Sequence, residues 1–233
     1  MRTAKLFLAV ILLALSAACK NKSEKTTTEK AEETEVIATP TIPEKIAYAH
    51  GFENWKNVKN IAFTFNVDRG KNHYQRHWIW NTKNNTVTHI NAEDTLTYNR
   101  SKMDSLAYKT NGGFVNDKFW LLAPYNLVWD AANYAYTIKE QDTAPVSKKL
   151  MKKLTIVYGS EGGYTPGDAY DFYFEDDYLI KEWTFRKANT KEPSMSTTWE
   201  NYLDIAGLKI AQDHKGTDKD FKLYFDGIAI DAN

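Results

Sequence analysis

The side chains in this sequence most able to do chemistry are its five histidines, which could bind a metal ion if the fold brought three of them together. In the predicted strand NHYQRHWIW, His73 and His77 share a face, but four residues along a strand span about 13 Å. One ion with ligand bonds of about 2 Å cannot bridge that distance. His77 and His89 could meet across neighbouring strands, but two ligands without a third are weak support for a site. We therefore predict no metal ion and no other cofactor.

Two further segments resemble catalytic motifs without matching them. In YGSEGGYTPG, Ser160 lies among glycines, but Tyr158 occupies the position where a nucleophile elbow has its first glycine. The glycines also miss the phosphate-loop and dinucleotide spacings. Three consecutive acids, at 175–177, are typical of a solvated hairpin turn rather than of a catalytic pair. We predict that the protein is not an enzyme, and unrecognised catalysis is the least favoured alternative.

The composition of the chain excludes one class of partner and favours one class of fold. The 233 residues carry equal numbers of acidic and basic side chains, so the formal net charge is zero. Such a chain has no general electrostatic attraction to nucleic acid, and we predict no nucleic-acid partner. Aromatic residues make up 14% of the sequence and occur in short alternating stretches, as strands prefer. The composition therefore predicts a β-rich protein.

Residues 1–18 have the pattern of a lipoprotein signal peptide. The positive segment MRTAK precedes the apolar LFLAVILLAL, which is too short for a comfortable transmembrane helix. SAAC then leads into Cys19, the only cysteine. This pattern resembles a bacterial lipobox and implies that Cys19 is acylated and anchors the mature protein in a membrane. The alternative is an ordinary signal peptide cleaved nearby, with Cys19 unmodified.

The rest of the chain divides into a tether and one domain. Residues 19–42 comprise the predicted acylated cysteine and a flexible segment rich in Lys, Glu and Thr, which cannot bury enough apolar surface to fold. Residues 43–233 are long enough to bury a single ordinary core. We expect the domain to open with a short helix that has Pro43 in its first turn and is broken at Gly51.

Antiparallel strands dominate the predicted domain. In NIAFTFNV, alternate residues Ile61, Phe63 and Phe65 lie on one face, which is strand periodicity. Turn signals such as DRGK and NTKNN recur at short intervals, as in a meander. The fold class we predict is mainly β (α+β), with an incomplete antiparallel β-barrel or curved sheet that covers a few short helices.

The segment YDFYFEDDYLIKEWTF predicts a β-hairpin with a specific register. If residues 175–177 form a three-residue loop, Phe174 lies opposite Tyr178 and Phe172 lies opposite Ile180. Both pairs are chemically sensible cross-strand contacts. We therefore expect the two strands to be joined by that short loop.

The most apolar part of the domain is FWLLAPYNLVW, residues 119–129. Pro124 excludes an ordinary central strand, because proline cannot donate a ladder hydrogen bond. The segment must therefore be covered by something other than neighbouring strands. A helix or loop that lies over the interior of the curved sheet satisfies this requirement, either as a lid over a cavity or as a plug in a filled barrel.

In the order of these features, the chain resembles the LolA/LolB-like superfamily of lipoprotein carriers and outer-membrane lipoprotein-sorting proteins. The segments that carry the resemblance are AYAHGFENWKNVKNIAFTF, RHWIWN, NDKFWLLAPYNL, YDFYFEDDYLIKEWTF and YLDIAGLKIAQ. The resemblance implies an incomplete barrel around helices that act as a lid, with an apolar cavity for acyl chains. Together with the anchor at Cys19, it implies a lipoprotein of the bacterial cell envelope, in the outer membrane and facing the periplasm.

Two functions remain open at this point. In the first, acyl chains or a lipoprotein bind in an apolar cavity, with sorting or transfer of that cargo as the fullest form of the function. In the second, the aromatic residues are a filled core, and the protein is structural or binds another envelope protein. For the first function, the predicted ligand-binding residues are Phe63, Phe65, Trp78, Trp80, Phe119, Trp120, Leu121, Leu122, Tyr125, Leu127 and Trp129.

Overall fold

A computed structural model describes residues 39–92, 94–161 and 164–233. The predicted signal peptide, most of the predicted tether, and Cys19 lie outside the described residues. Among the described residues, no helix combines the length and apolar character needed to cross a membrane.

The chain begins its described part with helix α1 (Ile42–Ala49). Thr41 and Glu44 form a capping box, which satisfies backbone N–H groups that have no partner within the helix. Pro43 lies in the first turn, as predicted, and Gly51 follows the helix with a positive φ of 86°. A short 3-10 helix (Phe52–Asn57) then leads into the first strand.

Replacing Gly51 with alanine is expected to lower the free energy of unfolding by about 2–4 kcal/mol. A Cβ atom at this position would lie 2.0 Å from the carbonyl oxygen of Gly207, in addition to the strain of the positive φ. Gly70→Ala is the matched control, because Gly70 also has a positive φ but its Cβ would meet nothing within 4 Å. Urea unfolding of both variants measures the difference, and equal losses would contradict the role of the close approach.

In the part of the chain that the structure describes, twelve strands form two antiparallel sheets. The seven-stranded sheet has the order β10-β11-β12-β1-β2-β3-β4, and the five-stranded sheet has the order β5-β6-β7-β8-β9. In the seven-stranded sheet the strands are β1 (Val58–Arg69), β2 (Asn72–Asn81), β3 (Thr86–Ile90), β4 (Thr95–Asn99), β10 (Glu200–Ile205), β11 (Leu208–Lys215) and β12 (Phe221–Ala232). In the five-stranded sheet they are β5 (Tyr134–Thr143), β6 (Leu150–Tyr158), β7 (Ala169–Phe174), β8 (Ile180–Arg186) and β9 (Met195–Thr198).

The two sheets are joined along one side and end separately on the other. Only Trp199 separates β9 from β10, and Thr197 forms a β-bridge with Gly216 just beyond β11. The outer strands β4 and β5 end their sheets, so the barrel stays open between them. The predicted fold class, a mainly β protein with an incomplete antiparallel barrel, is confirmed.

Helix α2 (Ser105–Trp129) connects the two outer strands, β4 and β5, along the chain. The Asp104 side chain caps it by accepting a hydrogen bond from the Ala107 N–H at 2.8 Å. The helix is kinked at Leu122, where φ is −123° and ψ is 25°. Pro124 accounts for the kink, because a proline inside a helix removes one backbone hydrogen bond and its ring crowds the preceding turn. The apolar segment singled out in the sequence is therefore the buried second half of a long helix.

A polar contact fastens α2 to the seven-stranded sheet. Arg76 on β2 donates from Nε to Asp117 Oδ2 at 2.7 Å and from Nη2 to Asp117 Oδ1. Trp78 donates from its indole nitrogen to Asp117 Oδ2 at 2.8 Å. The Asp117 side chain is fully buried, and burial raises the pKa of its carboxyl while the Arg76 guanidinium opposes that shift.

The hairpin of β7 and β8 forms, but its predicted register is wrong. Phe174 lies opposite Ile180 and Phe172 lies opposite Trp183, with an irregularity beside Phe174. Five residues, 175–179, therefore connect the strands. Tyr178 adopts a left-handed conformation, with φ of 57°, and its ring stacks on Phe174 at 5.8 Å. Tyr178 therefore makes the predicted ring contact with Phe174 from within the loop. The strand pairing differs from the prediction by two residues at Phe174 and by three residues at Phe172.

Candidate functional site

A cavity of about 870 Å³ lies between α2 and the five-stranded sheet. Residues of α2 form one wall, residues of β6, β7 and β8 form another, and residues within 130–133, 159–161 and 164–168 border it. On α2, the positions Gly112, Asn116 and Phe119 are three or four residues apart, so they share a helical face. Phe114 and Asp117 contact β2 instead, so α2 serves both sheets.

Aromatic rings form the apolar wall of this cavity. Phe119 of α2 lies 4.6 Å from the ring of Tyr170 and 6.0 Å from that of Trp183. Tyr170 on β7 lies directly opposite Phe185 on β8, and their rings stack at 5.2 Å. The side chains of alternate residues in a strand share a face. The hairpin therefore presents several rings to the helix as one surface.

The polar wall contains two cationic side chains. Lys118 on α2 donates from Nζ to Asn126 Oδ1 at 2.9 Å and lies 4.9 Å from the ring centre of Trp129. Burial lowers the pKa of the Lys118 ammonium to about 8. Arg100 also lines the cavity, and burial lowers the pKa of its guanidinium.

Acidic side chains line the same cavity. Asp130 Oδ2 accepts a hydrogen bond from the Tyr158 hydroxyl at 3.1 Å, and burial is the main cause that raises the pKa of that hydroxyl. Asp168 Oδ1 accepts from the backbone N–H of Ala188 at 2.7 Å. Glu161 is exposed at the border of the cavity. The cavity thus combines an apolar wall with charged groups of both signs.

The structure brings two of the predicted ligand-binding residues to this cavity. Phe119 and Trp120 line it. The other predicted residues do not line it and lie in the interior of the domain, packed among other apolar side chains. These residues are Phe63, Phe65, Trp78, Trp80, Leu121, Leu122, Tyr125, Leu127 and Trp129.

Contacts explain why these residues lie elsewhere. The Tyr125 hydroxyl donates to the backbone carbonyl of His50 at 2.7 Å. Since His50 ends α1, the Tyr125 side of α2 faces α1. Trp129 packs against Trp55 at 5.0 Å between ring centres. Trp80 packs edge-on against Phe114 at 5.6 Å.

The sequence analysis did not predict five aromatic residues that line the cavity: Tyr158, Tyr164, Tyr170, Trp183 and Phe185. The alternation of YDFYF and EWTF was a visible signal for a ring-covered strand face. The alternation did not show that helix α2 would leave a cavity between itself and this ring-covered face. Among the residues that the structure describes, no group of three or more His, Cys, Asp or Glu is placed to hold a metal ion.

Comparison with known proteins finds similarity in structure but not in sequence. No protein-family model and no curated protein matches this chain. A crystal structure of a LolA superfamily protein from Nitrosomonas europaea is similar, with 8% identity, a TM-score of 0.49, and 82% of this chain and 93% of that chain covered.

Two other crystal structures show similarity of the same order. A DUF1329 family protein from Desulfovibrio piger has 11% identity and a TM-score of 0.44, with 82% of this chain and 94% of that chain covered. An outer membrane lipoprotein-sorting protein domain from Vibrio parahaemolyticus has 10% identity and a TM-score of 0.44, with 81% and 93% covered. At these identities the similarity concerns the fold alone.

Proposed function

We propose that this protein binds an acyl chain, of a lipid or of a lipoprotein, in the cavity between α2 and the five-stranded sheet. The observation that carries the proposal is a cavity of about 870 Å³ with an aromatic wall beside a core that is already packed. Its volume lies within the range of roughly 300–1,000 Å³ that is usual for small-molecule sites. Each buried CH₂ group contributes about 0.8 kcal/mol, so one acyl chain supplies affinity without a polar motif.

The proposal includes an anchor and a location. Acylation of Cys19 would hold the protein in a membrane of the bacterial envelope, in our proposal the outer membrane with the domain facing the periplasm. Bound cargo would be sorted or passed on from this position. The proposed role is binding and carriage, and it requires no catalytic group.

Gly112 offers a way to close the cavity without disturbing the core. It lines the cavity, and a Cβ atom built on it meets nothing within 4 Å. A larger side chain at this position would therefore occupy open space. Removing a glycine from a helix interior also favours the helix by up to about 1 kcal/mol. Gly112→Phe blocks the site, and Gly112→Ala is the matched control that leaves it open.

Native mass spectrometry of the domain tests the proposal. Residues 39–233 form one compact unit and can be purified from bacterial cells without detergent. We expect an adduct with the mass of a phospholipid or fatty acid in the wild type and in Gly112→Ala, and at least a tenfold smaller adduct fraction in Gly112→Phe. Circular dichroism should show the same fold in all three. A clean apo mass with no uptake of added lipid would contradict the proposal and favour a protein partner.

A further inference from the structure

We propose that the cavity binds the anionic headgroup of an amphiphile between Lys118 and Arg100, while the chain of the same ligand lies on the aromatic wall. The shared chemistry of that headgroup is a carboxylate or a phosphate. This inference rests on the proposed function, because it takes an acyl ligand as given and names the group at its polar end.

The first argument is the absence of a carboxylate partner for either cation. Among the residues that the structure describes, neither Lys118 nor Arg100 forms an ion pair. Within the described part of the chain, the Lys118 ammonium donates one hydrogen bond, to the neutral side chain of Asn126. Arg100 donates from Nε to Asn111 Oδ1 at 3.1 Å and from Nη1 to Asn85 Oδ1 at 3.2 Å, which are amide oxygens as well. Part-buried cations are ordinarily paired, so these two are left available for a ligand.

The second argument is electrostatic. Burial lowers the pKa of the Lys118 ammonium, Asp130 opposes that shift, and the positive charge of Arg100 contributes a smaller lowering of the same pKa. A negative group that enters the cavity would relieve the repulsion between the two cations. Charge-assisted hydrogen bonds of this kind are about twice as strong as neutral ones.

The third argument is that the acidic side chains of the cavity do not pair with these two cations. Asp130 accepts from the Tyr158 hydroxyl, Asp168 accepts from a backbone N–H, and Glu161 is exposed to solvent. None of the three lies within ion-pair distance of Lys118 or Arg100 among the described residues. On the apolar side, Phe119 belongs to the aromatic wall, and both Phe119 and Lys118 line the cavity. One ligand can therefore contact a cation and the rings together.

Titration calorimetry with four ligands of equal chain length tests this inference: dodecanoate, dodecyl phosphate, 1-dodecanol and dodecylamine. We expect the wild-type domain to bind at least one of the two anions at least tenfold more tightly than 1-dodecanol, and dodecylamine no better than the alcohol. The stronger of the two anions identifies the headgroup as carboxylate or phosphate. At pH 8, binding of the anion should take up about half a proton, because the anion raises a Lys118 pKa that lies near that pH.

Two variants locate the anion. Lys118→Gln should lower the affinity for the preferred anion about tenfold, abolish the proton uptake, and leave the affinity for 1-dodecanol unchanged. Lys109→Gln makes the same charge change on an exposed position of α2 and should retain the preference.

Each remaining outcome overturns a defined part of the account. An anion that binds no better than 1-dodecanol to the wild type, or an undiminished preference in Lys118→Gln, overturns the anion site and leaves the acyl cavity in place. If none of the four ligands binds, the proposed function fails and this inference fails with it.

Discussion

Asp117→Asn is expected to lower the free energy of unfolding by about 3–5 kcal/mol, because it breaks a buried ion pair and leaves one charge without its partner. Asp117 accepts four hydrogen bonds, two from Arg76, one from Trp78 and one from the side chain of Asn116. An asparagine offers only one acceptor oxygen in their place, and its amide N–H groups would face donors. Urea unfolding should show a lower midpoint with an unchanged slope.

An exposed ion pair of the same chain supplies the control. Lys215 and Glu200 form an ion pair with Nζ and Oε2 2.5 Å apart, and their side chains are 56% and 39% exposed. Glu200→Gln should therefore cost less than about 1 kcal/mol. A loss below about 1 kcal/mol for Asp117→Asn would show that the contact does not hold α2 against β2.

Acidification is expected to destabilise the domain through two fully buried histidines, His50 and His214. Burial lowers the pKa of His50 to about 4 and that of His214 to about 3. The unfolded chain has ordinary histidines with a pKa near 6.5, so it binds protons first as the pH falls. The stability is therefore complete above pH 6.5 and decreases as the pH falls toward these lower values.

The size of this effect follows from about 1.4 kcal/mol per pKa unit. As upper limits, His50 accounts for about 3 kcal/mol and His214 for about 5 kcal/mol. The exposed His73 acts in the opposite sense, because its hydrogen bond to Asp68 raises its pKa. We therefore expect a smaller net change than the two limits suggest.

Urea unfolding between pH 7.5 and pH 4.5 measures this dependence. His214 lies among aromatic rings, with Trp199 at 4.7 Å and Phe225 at 5.8 Å between ring centres. His214→Phe retains an aromatic ring there and removes the titrating group, so its stability should vary less with pH than that of the wild type. A wild-type stability that is constant down to pH 4.5 would contradict the prediction.

Local patterns in the sequence predicted the strands because alternation is a property of a few consecutive residues. Ile61, Phe63 and Phe65 alternate in NIAFTFNV, and all three are buried on β1. The first twelve residues of α2 were not predicted as helix. The segment SLAYKTNGGFVN contains two glycines, which disfavour helices. Tertiary packing overrides this preference, because Phe114 fits against Trp78 and Trp80.

The register of the β7–β8 hairpin also depended on packing that local sequence patterns do not show. The composition of YDFYFEDDYLIKEWTF predicted two paired strands correctly. The loop length depends on the backbone conformation of Tyr178 and on the packing of its ring, and neither is visible in an alternating pattern.

The sequence by itself determined a mainly β chain with a short opening helix and one apolar segment that could not be a central strand. These properties follow from composition, from period-two alternation and from the chemistry of proline. Only the tertiary structure decided which aromatic rings pack and which border a cavity. Trp120 and Leu121 are neighbours in sequence, yet Trp120 lines the cavity and Leu121 does not. Consecutive helix residues point in different directions, and the placement of α2 between two sheets assigns each direction to a different environment.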